Sequence, residues 1–321
     1  MKNKNFNTKT PDSKSQIPNS QYHLPVLLDE TIEALKIDPG GIYVDCTFGG
    51  GGHSKAILEK LNEQGKLVAF DQDEDARKNV PNDDRVVFVP HNFRHLQRFL
   101  RLHEIKAVDG ILADLGVSSH QFDEPERGFS IRHDADLDMR MDKRQNKTAY
   151  DVINGYSEQQ LHKIFEQYGE VTNAKTLART IVQLRSTTSL KTISGFKSAL
   201  RGIVKGNPNK YFAQVFQALR IEVNDELAVL KDLLQQIPSM LKPGARTAII
   251  TFHSLEDRIV KNFFKNGTVE QTEENPYMMT EKVNELKVIT KKPIIPTEKE
   301  IKTNPRSRSA KLRVAEKVMM V

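Results

Sequence analysis

The chain has no tryptophan and only one cysteine, Cys46, among 321 residues. One thiol cannot close an internal disulfide or build a cysteine-ligated zinc or iron–sulfur centre. A secreted disulfide scaffold is therefore excluded, and a soluble protein of a reducing compartment, the cytoplasm, is expected. Long apolar runs are also missing. Nothing approaches the roughly 18 consecutive apolar residues of a membrane span, so no membrane partner is expected. Residues 1 to 20 are rich in Asn, Lys, Ser and Thr and hold no apolar stretch. That pattern argues against a secretory leader and for a disordered tail over 1–21.

Hydrophobic residues make up 38% of the chain, enough for a substantial core. The length exceeds the roughly 250–300 residues at which one core stops growing, so two domains are expected. The net charge of +6 decides little alone, but its distribution is uneven. From Lys143 to Glu222 there are 13 Lys/Arg against 5 Asp/Glu, and from Glu281 onward 11 against 5. From Asp114 to Asp142 the balance reverses, with 3 against 8. The basic segments read either as solvated faces or as surfaces for a polyanion, whose phosphates release counterions when Lys and Arg approach.

Along the chain, Leu28, Ile32 and Leu35 share one helical face, stopped by Asp38-Pro39-Gly40-Gly41. The run Ile42–Phe48 reads as a strand, and four glycines, Gly49 to Gly52, lead into a helix with Ile57, Leu58 and Leu61 inward. Further strands are expected at 67–70, 85–89 and 108–112, the last ending at Asp114. Apolar strands alternating with helices imply a parallel sheet covered on both faces. The alternation then stops for about a hundred residues. Ser157 and Gln160 form a capping-box pattern, and helical stripes follow at Leu161/Ile164/Phe165, Leu177/Ile181/Leu184 and Ile193/Phe196/Leu200/Ile203. This basic stretch reads as an inserted helical domain. A longer helical stretch is expected from Phe212 to about Ile237, continuous or broken along its length. Leu241-Lys242-Pro243-Gly244 then reads as a turn into a strand over 247–252, and β-like runs recur at 288–290 and 311–314.

A strand, a glycine run and a helix present backbone N–H groups and a helix N-terminus to a ligand. A P-loop is excluded because Ser54-Lys55-Ala56 stands where G-K-[ST] is required, and neither glycine register completes G-x-G-x-x-G/A. What fits is Asp45-x-Thr47-x-Gly49-x-Gly51, close to the D/E-x-G-x-G-x-G loop of S-adenosylmethionine-dependent methyltransferases with Thr in the first glycine place. Asp71, 20 residues after Gly51, can accept hydrogen bonds from both ribose hydroxyls of an adenosine.

The segments 23–30, 45–54, 109–119, 128–132, 137–141, 216–227, 252–258 and 304–313 together resemble one family. It is the bacterial MraW family, which methylates N4 of a cytidine in the decoding region of 16S ribosomal RNA. They include Asp109-Gly110-Ile111-Leu112-Ala113-Asp114-Leu115-Gly116-Val117-Ser118-Ser119 and Phe252-His253-Ser254-Leu255-Glu256-Asp257-Arg258. The resemblance covers roughly residues 22 to 317. It implies an α/β fold, a Rossmann-like class I S-adenosylmethionine-dependent methyltransferase sheet with an inserted all-helical domain. The methyltransferase domain would span 22–125 and 217–321, around a substrate-recognition insertion at 126–216. The cofactor implied is S-adenosyl-L-methionine. Its carried-over residues are Gly51, Gly52 and His53 in the loop, Asp71 at the ribose, Phe93 beside the adenine, and Asp114 and Gln121 at the far end of the pocket. Here Gln121 follows His120, where relatives often carry Pro. The partner implied is 16S rRNA or the small ribosomal subunit, and a homodimer is left open.

The chemistry is displacement by a poorly nucleophilic exocyclic amine on an already activated methyl group, so no metal is required. Acceptors on the amine and in-line placement would supply the rest. Asp114, Ser118 and His253 are the candidate catalytic residues, with loop or cap roles as the bland alternatives. DNA amino-methyltransferases often carry an Asp/Asn/Ser-Pro-Pro-Tyr/Phe segment after the fourth strand, but here Asp114-Leu115-Gly116-Val117 lacks the stacking aromatic. Phe129 can stack on a base or pack in a core, Arg140 sits among acids, and Arg306, Arg308 and Arg313 suit phosphates or a solvated hairpin. A cytosine in structured RNA must be unstacked before reaction, which gives the basic insertion a task. A nicotinamide dehydrogenase and a non-catalytic ribosome-assembly factor are the competing readings.

Overall fold

A computed structural model describes residues 25–269 and 284–319. The tail 1–21, expected to be disordered, lies outside the described residues, as do His23 and Leu24. The chain opens with α1 (Leu28–Leu35), followed by β1 (Ile42–Asp45), α2 (Gly52–Leu58), β2 (Lys66–Phe70), β3 (Val86–Val89), α3 (Leu96–Leu102) and β4 (Val108–Asp114). A short α4 (Ser119–Asp123) precedes four helices of the basic segment: α5 (Ala149–Gly155), α6 (Glu158–Gln167), α7 (Ala174–Leu184) and α8 (Ile193–Leu200). Then come α9 (Pro208–Asn224), α10 (Glu226–Met240), β5 (Leu241–Thr251), α11 (Ser254–Asn266), β6 (Leu286–Val288), α12 (Glu298–Thr303) and β7 (Lys311–Lys317).

The seven strands form one sheet in the order β3-β2-β1-β4-β5-β7-β6. The first five run parallel, and β7 is antiparallel to both β5 and β6. The order reverses between β1 and β4, so the carboxyl ends of these strands flank a crevice. Val44, Val68, Ile111 and Ile249 pack toward α3, α10 and α11, while Tyr43, Leu67, Leu112 and Ile250 pack toward α1 and α2. Both faces are thus buried, as the apolar strands required.

Two expectations change. The Lys242–Gly244 turn is absorbed into β5 as an irregularity: Leu241 pairs with Val108, yet Arg246 pairs with Gly110. The stretch from Lys242 to Ala245 therefore bulges opposite Asp109 alone. Gly244 supplies the left-handed φ of 80° that the bulge needs, and Lys242 pairs with the Asp109 carboxylate at 2.7 Å. The β-like run at 288–290 also shortens, with β6 ending at Val288 because the amides of Ile289 and Thr290 both turn to the Val314 carbonyl.

The long helix breaks at Asp225, which takes a left-handed φ of 54°. Asn224 braces the break: its amide donates to the Met139 and Arg220 carbonyls and accepts from the Met141 amide. Ser157 and Gln160 do form the capping box that starts α6. A separate apolar cluster gathers α5 to α9, from Phe129 through Phe165 and Phe196 to Val223. Phe129 is buried there and stacks on nothing in the crevice.

One buried ion pair ties this helical cluster to the sheet. Arg127 donates to Asp73 at 2.7 Å, and its other nitrogen reaches the carbonyls of Arg140 and Met141. Both side chains of the pair are under one-tenth exposed. Removing one partner strands the other charge. We expect Arg127→Met to cost about 3–5 kcal/mol, read as a lowered urea midpoint at unchanged slope.

Candidate functional site

The glycine loop is shaped by its own acids. Asp45, at the end of β1, accepts from the Thr47 amide at 3.0 Å and from the Ser54 hydroxyl at 2.7 Å. Asp71, just past β2, accepts from the Gly49 amide at 2.7 Å and the Asp73 amide at 2.8 Å. Two glycines are obligatory. Gly51 has φ 77°, and a Cβ there would meet the Phe48 ring at 2.9 Å. A Cβ on Gly52 would come within 2.2 Å of Pro25. The N-terminus of α2 can thus lie close under a ligand.

A cavity of about 1230 Å³ opens at this edge of the sheet. Gly51, Gly52, His53, Asp71 and Phe93 line one part of it, and Asp114, Ser118 and Gln121 another. These candidates are therefore brought together from separate stretches of the chain. His253 does not line the cavity. It caps α11, accepting from the Glu256 amide, and its Nε2 lies 3.2 Å from the Glu256 carboxylate. Phe252 and Glu256 reach the cavity in its place.

Several side chains have more local duties than their positions suggest. The Ser118 hydroxyl accepts from the Gln121 amide, and Gln121 Oε1 accepts from the Ser118 amide. This capping box starts α4. Gln121 Nε2 donates to Asp73 at 2.8 Å, so its side chain is held on two sides by protein.

The His53 Nε2 lies 3.0 Å from the Val26 carbonyl. A carbonyl only accepts, so Nε2 carries the proton and Nδ1 faces the Asp114 carboxyl 3.7 Å away as a lone pair. Burial holds His53 below its ordinary pKa, against the pull of Asp45. Burial likewise pushes the Asp114 carboxyl well up, helped by the charges of Asp45 and Glu256. Asp114 Oδ1 is buried with no hydrogen-bond partner among the described residues. The Asp114 side chain as a whole lines the cavity and is about a quarter exposed, which puts its carboxyl within reach of a donor on a ligand. Asp71 is also raised, to about 7, by burial that outweighs the Asp73 and Gly49 amides.

Two residues that motif spacing did not single out, Glu226 and Glu256, also line the cavity. Arg220 forks onto Glu226 at 2.8 and 3.0 Å. Glu256 accepts from the Phe252 amide, and although burial works to raise its carboxyl, His253 and Arg220 hold it below the ordinary range. Glu226, His253 and Glu256 have ligand atoms within 4.8 Å of one another, but the donor set does not fit a metal. Both Glu226 oxygens are committed to the Arg220 guanidinium, whose positive charge also opposes a cation there. Arg220, Glu226, His253 and Glu256 all lie in the segments 216–227 and 252–258 that carried the family resemblance, which was the available signal.

The MraW methylase family matches residues 20–318 of the chain. A relative from Flavobacterium johnsoniae, named ribosomal RNA small subunit methyltransferase H, is 54% identical over 299 residues, covering 93% of this chain and 98% of its own. One of the same name from Bacteroides thetaiotaomicron is 52% identical over 297 residues, covering 92% and 97%. Among solved structures, an rRNA methylase from Streptococcus thermophilus is 13% identical with a TM-score of 0.37, covering 91% of this chain and 93% of its own.

At the ribose position that the resemblance implies, Asp71 would accept from the diol in its ionised form. Affinity for S-adenosylmethionine is therefore expected to rise as pH increases through about 7. Stability of the unliganded protein moves the other way. This carboxyl's pKa is raised on folding, so its contribution falls as pH climbs from the ordinary carboxylate range to about 7. Asp71→Ala should remove about 1.5–3 kcal/mol of binding and flatten the pH profile in calorimetry.

Proposed function

The chain belongs to the MraW methylase family, and from that premise we propose that it transfers the methyl group of S-adenosyl-L-methionine to N4 of a cytidine in the decoding region of 16S ribosomal RNA. The observation that carries this reading is Asp114 Oδ1, a buried acceptor without a partner among the described residues, in the wall of a cavity that also contains Asp71 and the glycine loop.

When bound, the cofactor supplies a methyl group already activated on a sulfonium. The remaining work belongs to this chain. Asp71 would accept the ribose hydroxyls, the backbone of Gly51, Gly52 and His53 would support the ligand at the start of α2, and Phe93 would flank the adenine. Asp114 accepts an N4–H of the cytosine, which draws the amine lone pair out of the ring and toward the methyl carbon. The N4–C bond forms as the S–C bond breaks. The sulfur would be left as a neutral thioether, and the ionised Asp114 carboxylate would take the surplus N4 proton, a transfer that its upward-shifted pKa favours. Ser118 sets the backbone beside this point through its cap on α4. His253 acts at one remove, fixing Glu256 at the base pocket.

The helices between 126 and 216 serve as the substrate-recognition part, with their excess of Lys and Arg facing the RNA backbone. No helix among the described residues is long and apolar enough to cross a membrane. Family membership removes the dehydrogenase reading. A non-catalytic assembly factor is separated by assay: labelled methyl groups should enter small ribosomal subunits or naked 16S RNA and be recovered as N4-methylcytidine after digestion. No label in either substrate overturns the enzymatic reading, and label in another nucleoside overturns the N4 assignment. Asp114→Asn should lower the single-turnover rate roughly 10²-fold.

A further inference from the structure

Helix α11 begins at the cleft and carries an unusual outer face. Its inner side buries Glu256, Val260, Phe263 and Phe264. Its exposed side presents Arg258, Lys261 and Lys265, spaced three and four residues apart and so in line along one face. Arg258 points toward the helical cluster, 4.0 Å from Glu170. Beyond it, a second cavity of about 390 Å³ lies between α11, β6 and β7. Phe264 and Val288 give it an apolar floor, and Lys261, Lys265 and Lys291 stand around it. The remaining cation, Arg313, is committed to Asp257 at 2.6 Å. No carboxylate lines this groove, and the three lysines have no acidic partner among the described residues.

We propose that this groove is a second RNA-binding surface, which holds the phosphodiester backbone flanking the target nucleotide. The inference rests on the ribosomal RNA methylase reading and adds to it where the strand runs. Cations gathered at a concavity with no counter-charge among the described residues favour a polyanion such as a phosphodiester backbone. At 1.5 Å per residue, Lys261 and Lys265 lie about 12–18 Å along α11 from its cap at the cleft. That distance suits a neighbouring stretch of the same strand and is too great for the reacting cytosine. A lysine in the last helical turn also complements the helix dipole, but this accounts for Lys265 alone and not for Lys291 across the groove.

The test compares two triple variants of the full chain. One is Lys261→Glu, Lys265→Glu and Lys291→Glu. The other places the same reversals at Lys60, Lys66 and Lys106, exposed at the opposite, amino-terminal edge of the parallel strands. Binding to naked 16S RNA is measured against salt, and S-adenosylmethionine affinity and the thermal midpoint report that each variant is folded. The groove variant should bind RNA at least about tenfold more weakly and lose about 2–3 from the log–log salt slope, as three lost phosphate contacts require. Equal losses in both variants, or an unchanged slope in the groove variant, overturn the proposal. Methyl incorporation by the unaltered protein is scored in parallel. If it labels RNA while the groove variant binds as tightly, only the groove fails; if it neither binds nor labels RNA, the functional reading fails with it.

Discussion

The cleft depends on two carboxylates that accept backbone N–H groups from the loop between them. Asp45 and Asp71 sit at the ends of adjacent parallel strands, and their bonds to Thr47 and Gly49 set the path of the glycine loop. Without side chains at Gly51 and Gly52, that path packs tightly against Phe48 and Pro25 at the cavity edge. Burying acids costs free energy, and in both the cost takes the form of a raised pKa. It leaves Asp71 poised near neutral pH, ready to gain hydrogen bonds from a ligand that restores favourable partners to its charge.

The same acidic edge holds the helical part in place. Asp73 takes Gln121 from one side and Arg127 from the other, so α4 and the segment after it are fixed to the loop beyond β2. Several acids between Asp114 and Asp142 are paired: Arg140 forks onto Asp138, Arg144 onto Asp142, and Lys191 and Arg306 reach Asp136 and Asp123 from farther along the chain. The negative balance there is therefore in part a bonding arrangement. The positive excess of the flanking segments is the charge left for partners. Within the basic tail the arginines divide: Arg313 is buried against Asp257, and Arg306 pairs with Asp123 beside the cleft. Lysines carry most of the free charge.

Hydrophobic periodicity was enough to expose the parallel sheet and the helical stripes of α6, α7 and α8. Those signals are local, because each element writes its burial into neighbouring residues. The bulge in β5 was not legible. Pro243-Gly244 carries the same turn chemistry whether it ends a helix or interrupts a strand, and only pairing with Val108 and Gly110 decides between them.

The candidate site divides in the same way. The sequence alone determined the glycine loop, the spaced aspartate and the family, since these depend on residue type at short fixed intervals. Tertiary structure decided what each side chain is free to do. Ser118 caps a helix, His253 faces Glu256 instead of the cavity, and Asp114 keeps a buried oxygen with no partner among the described residues. Those outcomes rest on partners far apart in the chain, such as Gln121 with Asp73 at a separation of 48 residues and Arg127 with Asp73 at 54. A hydrogen bond is satisfied by whichever group folding brings within reach, and no local pattern records which group that is.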